Sequence, residues 1–232
     1  MADTPGASEQ EERRRGRPRR RGASEQKSRA IFDAAVKVVG RYGYAEASIA
    51  RITAQAKVAQ GTFYLYYKSR QDLLDQLLPT LGGEMLGFIR ERVSGVEGLL
   101  EREERRLRAF FAYLDRRPEF YRILHEAETF APKGHRRHHK MIAEGYVQAL
   151  HRDFERAGAP ARSPQALEAT AYILMAARDY LSMRYGHWSG RGERLPEEVV
   201  ETYIQLVRGG LFEAAGARTP SEIQSKTTGG QS

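Results

Sequence analysis

Between residues 24 and 216 the apolar residues recur at intervals of three and four, and nowhere do they alternate with polar ones over the length of a strand. That spacing fits one face of a helix with 3.6 residues per turn, whereas a half-buried strand needs a period of two. The chain is thereby confined to an all-α fold, with about nine helices. Ile31, Ala34, Ala35, Val38, Val39 and Tyr42 make the first inward stripe, which ends at Gly43. Ser48 is placed to cap a short second helix with Ile49, Ile52 and Ala56 inward. A third short helix holds Phe63 and Tyr67 on one side, and Ser69 caps a longer one through Leu73, Leu74, Leu77, Leu78 and Leu81. Pro79 and the Gly82-Gly83 pair predict a kink or break in it.

Downstream, Leu107, Phe110, Phe111 and Leu114 mark a helix stopped near Pro118. Phe120, Ile123, Leu124 and Ala127 mark the next, stopped before Pro132, and Ile142, Tyr146, Ala149, Leu150 and Phe154 a third. Ser163-Pro164 is a cap followed by proline at the first helical position, opening a helix to about His187. Pro196 opens the last, with Val199, Val200, Tyr203, Ile204, Val207 and Leu211 on one stripe. Residues 1–23 and 217–232 show no apolar periodicity and read as a disordered arm and tail. The most apolar run, Ala169–Ala177, is nine residues long, where a membrane helix needs about 20. The absence of cysteine excludes a disulfide scaffold, a cysteine nucleophile and a thiolate metal site. No phosphate-binding glycine loop or nucleophile elbow points to an enzyme.

Charge is concentrated at one end. Residues 1–78 carry +6 of the net +8, and seven of the nine residues from Arg13 to Arg21 are arginine, which points to a polyanion as partner. On this basic segment, Ala47–Leu74 (ASIARITAQAKVAQGTFYLYYKSRQDLL) sets two short helices about four residues apart, the layout of a helix-turn-helix. The start of its second helix offers Gln60, Gly61 and Thr62. Gln can make two hydrogen bonds to adenine, Gly admits close backbone approach, and Thr suits a phosphate or a thymine methyl. Tyr64 and Tyr66 can hold phosphates through their hydroxyls. An ordinary helical hairpin with an aromatic core shares this spacing.

From Ser28 to Leu74, through RAIFDAAVKVVGRYGYAEAS, IARITAQAKVAQGTFYLYY and KSRQDLL, the sequence resembles the DNA-binding domain of the tetracycline-repressor (TetR) family. The resemblance implies a cytoplasmic, homodimeric transcriptional regulator, usually a repressor, with no cofactor. It implies a double-stranded DNA operator touched by Ser48, Gln60, Gly61, Thr62, Tyr64 and Tyr66, with Arg70 beside a phosphate. Three departures stand out: Lys57 where Gly is common in the turn, Thr53 for a usual Ala, and Leu65 at a contact position, suggesting a changed base preference. The domains then divide as residues 1–23 arm, 24–78 head, 79–216 helical body and 217–232 tail. The arm's Arg15–Pro18 (RGRP) also resembles an AT-hook core, whose Arg15 and Arg17 would lie along a narrow minor groove. A solvated basic tail and a nuclear localisation signal are the other readings.

The helical body would bind a small effector and dimerise through its last two long helices. Aromatic and polar positions on apolar faces are the pocket candidates: Phe110, Tyr113, Tyr121, His125, Tyr146, Tyr172, Met175 and Arg178, with Phe120 and Phe130 beside them. Plain core explains such a stripe equally. Arg178 interrupts an apolar run, and a buried cation needs a partner: Glu126, Glu128, Asp179 across a dimer interface, or an anionic effector. Lys133–Lys140 (KGHRRHHK) reads as a solvated face, with a phosphate site or metal ligation by His135 and His139 as alternatives. The stretch around it is similar to TetR-like regulators of aromatic or fatty acyl-CoA catabolism, which puts an acyl-CoA among the candidate effectors. A DNA-architectural protein that uses the arginine arm and senses nothing is the rival function.

Overall fold

The computed structural model describes residues 17–187 and 195–212. These hold nine α-helices and no strand: α1 Arg17–Tyr42, α2 Ile49–Ala56, α3 Gln60–Phe63, α4 Arg70–Val93, α5 Leu99–Arg116, α6 Glu119–Phe130, α7 Pro132–Arg156, α8 Pro164–Ser182 and α9 Glu197–Val207. Short π-helical turns follow α8 (Met183–His187) and α9 (Arg208–Phe212). Most of the arm and all of the tail lie outside the described residues, but α1 already begins at Arg17. Arg17 and Pro18 are therefore in a helical first turn, not extended. Proline is tolerated there because the first N–H groups of a helix have no partner within it.

The chain forms two compact units, and the division differs from the one expected at Pro79. One unit runs to Gly83 and adds Arg117–Met141; the other joins Glu84–Arg116 to the chain from Ile142 onward. The first unit thus contains α1–α3, the start of α4, α6 and the start of α7. Its core is built from Ile31, Ala35, Val39, Tyr44, Ile52, Phe63, Leu73, Leu77, Phe120 and Ile123, each essentially inaccessible to solvent. Tyr42, expected inward, is 45% exposed, and Tyr44 is buried in its place. The cause is Gly43, whose φ of +85° turns the chain at the end of α1 and sends the next aromatic into the core.

No break occurs at Pro79: α4 is helical on both sides of it. Proline lacks the N–H that would bond the Asp75 carbonyl one turn earlier, and Arg137 donates to that carbonyl instead, at 3.1 Å. The Gly134 N–H meets the Asp75 carboxylate at 3.1 Å, and a Cβ at Gly134 would overlap the Asp75 backbone.

The basic stretch 133–140 is not wholly a solvated face. His135 and His139 do sit together, with ring centroids 4.3 Å apart, but His138 is buried and lies against Gly82 and Phe120. Burial pushes the His138 imidazole down to about 3, and His139 and His135 add to the effect. The folded protein therefore holds His138 neutral while the unfolded chain protonates it below about pH 6.5. The stability it contributes is complete above that pH and is lost as the pH falls from 6.5 towards 3. Urea titrations from pH 7 to pH 4 should show a steady fall in midpoint, and His138→Leu should flatten that slope. An equal slope in both proteins would show that His138 titrates normally.

Candidate nucleic-acid interface

Ser48 caps α2, its hydroxyl accepting from the Arg51 N–H at 3.2 Å. Thr53, buried inside α2, donates its hydroxyl to the Ile49 carbonyl at 2.9 Å, which satisfies the polar group that replaces a methyl. Lys57 ends the helix at φ 57°, ψ 42°, so the left-handed turn expected at this position is made by a lysine, at a strain of roughly 1 kcal/mol. The Val58 N–H returns to the Thr53 carbonyl at 3.0 Å and sets the exit direction.

α3 is a single turn. It is anchored inward by Phe63, fully buried, and four residues past its end by Tyr67, whose ring lies 5.6 Å from Phe63 and whose hydroxyl is 3.3 Å from that of Ser28 on α1. Gln60, Gly61, Tyr64 and Leu65 face outward, Leu65 at 77% exposure, with Thr62 and Tyr66 half-buried. A Cβ at Gly61 would meet nothing within 4 Å. Two aromatic rings thus anchor the turn, and the expected base-contacting side chains are left open.

Arg70 bonds the backbone of its own unit. Its Nε donates to the Ala47 carbonyl at 2.7 Å and its Nη2 to the carbonyls of Tyr44 and Ala45, the latter at 3.2 Å. The guanidinium expected beside a phosphate is committed to the α1–α2 connection. Arg15 lies outside the described residues, and Arg17 stands in helix.

The effector candidates are divided between the two units. Tyr121 and His125 belong to the first unit, where their rings are 4.2 Å apart. In the second unit Phe110, Tyr113, Tyr146 and Arg178 are buried and Met175 half-buried, but Tyr172 is exposed. Arg178 has its partner within its own unit, and it is none of the expected acids. Its Nη2 donates to Glu103 Oε1 at 2.5 Å and meets the Tyr146 hydroxyl at 2.5 Å. Glu103 also accepts from Tyr146 at 2.7 Å and Tyr203 at 2.6 Å, and Arg106 stands 3.4 Å away. Arg106 and Arg102 in turn pair with buried Asp153. Burial alone would raise the Glu103 carboxyl, but Arg178, Arg106 and the two hydroxyls outweigh it and hold it below the usual range. The sequence signals only that Glu103 points inward, since with Arg106, Leu107 and Phe110 it falls on one helical face.

Residues 31–77 match the model described as "Bacterial regulatory proteins, tetR family". Of curated relatives, the chain is 38% identical over 63 residues to the fatty acid metabolism regulator protein of Bacillus subtilis (strain 168), covering 27% of this chain and 32% of that one. It is 39% identical over 67 residues to the uncharacterized HTH-type transcriptional regulator YvdT of the same organism, covering 29% and 34%. The match spans about a third of each relative's length. Among solved structures the fold resembles the fatty acid degradation regulator FadR of Bacillus halodurans (TM-score 0.66, 22% identity, 80% of this chain and 96% of that one). It also resembles FadR of Bacillus subtilis in complex with stearoyl-CoA (TM-score 0.65, 18% identity, 78% and 98%).

Proposed function

We propose, for a chain whose head belongs to the tetR family of bacterial regulatory proteins, that it is a dimeric transcriptional repressor released from its operator by a small effector. The observation that carries this is the one-turn helix α3, pinned inward by Phe63 and Tyr67 and open outward at Gln60, Gly61, Tyr64 and Leu65. Two such heads about 34 Å apart would enter successive major grooves on one side of B-DNA. Release needs only that the effector bind more tightly to a conformation in which the heads fit the operator less well. An acyl-CoA is the effector class supported by the fatty-acid regulators among the similar proteins, one of them solved with stearoyl-CoA.

The test is selection of duplexes from a random-sequence pool by the full-length protein, followed by titration of the recovered complex with stearoyl-CoA. Dissociation by stearoyl-CoA but not by coenzyme A is the expected result. Within the selected duplex, Gln60→Ala should lose about 1–3 kcal/mol of discrimination at one base pair and leave the others intact. Unchanged preference at every position would remove α3 from the groove.

A further inference from the structure

The geometry points to Glu126 and Arg122 of α6 as positioning residues for the DNA-reading head, holding the α1–α2 connection in the shape that fixes where α2 and α3 stand. This rests on the function proposed above. Gly43–Ser48 is a short connection, yet side chains from two other helices grip it, all within the first compact unit. From α6, Arg122 donates to the carbonyls of Arg41 at 2.9 Å and Gly40 at 3.3 Å, in the last turn of α1. Glu126 Oε2 accepts the Tyr44 N–H at 2.8 Å, and Glu126 Oε1 lies 3.3 Å from Arg122 Nε. From α4, Arg70 takes the carbonyls of Tyr44, Ala45 and Ala47. Tyr44 therefore has its N–H held by one helix and its C=O by another. Its ring is fully buried and lies 6.2 Å from that of Phe130 at the far end of α6, the two planes within 7°.

The chemistry suits each contact. The last carbonyls of a helix carry partial negative charge and have no partner within it, so a guanidinium is favoured there. An N–H bonded to a carboxylate is among the stronger hydrogen bonds a backbone makes. Gly43 suits the left-handed φ, and a Cβ there would stand 3.0 Å from the Glu126 carboxylate, a tight contact that would push the carboxylate aside. At Gly40 a Cβ would overlap the Glu119 side chain, so the start of α6 also depends on a glycine of α1. A reading helix of one turn has little stiffness of its own. Paired hydrogen bonds to a base edge weaken steeply with small displacements. Its placement is set by what holds α2, and α2 begins at this connection.

The experiment uses the duplex selected by the wild-type protein and a scrambled duplex of the same composition. Glu126→Ala should weaken binding to the selected duplex about ten- to one-hundredfold, the change expected for one charge-assisted hydrogen bond. Binding to the scrambled duplex, which depends on phosphates, should stay unchanged, as should helicity by circular dichroism. Glu126→Gln keeps an oxygen acceptor for the Tyr44 N–H and should retain most of the selectivity; Arg122→Ala should lose part of it. Wild-type affinity for the selected duplex in Glu126→Ala, or an equal loss on both duplexes, would overturn the assignment. If the alanine variant does not fold, Glu126→Gln and Arg122→Ala decide, and wild-type selectivity in both overturns it. A wild-type protein that recovers no sequence from the pool would instead refute the DNA-reading function itself.

Discussion

Glu103→Ala is expected to destabilise the protein by about 3–5 kcal/mol, read as a fall in the urea midpoint, because it leaves charges buried without their partner. Glu103 is the carboxylate on which Arg178, Tyr146 and Tyr203 converge, with Arg106 at its other oxygen. Once it is gone, Arg178 keeps its burial and loses its anion. The loss belongs to the unpaired cation rather than to the bond, and a second variant separates the two. Glu103→Leu combined with Arg178→Met removes both charges and should recover much of the stability. The pH dependence has a fixed sign as well. A carboxyl held below its ordinary value contributes stability that is present above about pH 4.3 and disappears as the pH falls through the folded-state value. A single variant within about 1 kcal/mol of wild type would mean that the cluster is hydrated, not buried.

Leu206→Glu is expected to turn a proposed dimer into a monomer at micromolar concentration and to weaken operator binding about 100-fold or more, the scale lost when two linked contacts become independent. Leu206 is 72% exposed on α9, and Ile173 and Tyr180 are 67% and 70% exposed on α8. In the proposed dimer these exposed apolar side chains are the ones a second copy would cover. Ile173→Glu should act in the same way. Analytical ultracentrifugation of the wild type decides first: a monomer at those concentrations ends the dimer proposal. The apolar stripe of the sequence had pointed to Ile204, which is half-buried within its own chain and so is the poorer probe.

What could be read from the sequence was what is local. Caps at Ser48 and Ser163 and the glycine after Tyr42 act within four or five residues and are where the spacing placed them, and the lysine in the left-handed turn is where the family resemblance placed it. Tyr42 and Tyr44 were exchanged because periodicity continues a helix by rule, whereas a positive φ rotates everything after it. Arg178 was legible as a charge that needed a partner. The partner was not, because Glu103 lies 75 residues away and acids nearer to hand were equally plausible on charge alone. For the same reason α6 looked like part of the helical body. The bonds that tie it to the head, Arg122 to the end of α1 and Glu126 to Tyr44, span 81 and 82 residues. The pocket candidates were chosen by residue type, and residue type does not say which unit a helix joins.

The partners of Glu103 stand 43, 75 and 100 residues along the chain. A ribosome releases them in that order, at roughly 5–20 residues per second. While α5 is already outside and α9 is still being made, the Glu103 carboxylate lacks the hydroxyl donor that Tyr203 supplies. The set of partners around Glu103 is therefore complete only once Tyr203 has emerged. Among the described helices, the one made last thus supplies the final hydrogen bond to a carboxylate made about a hundred residues earlier.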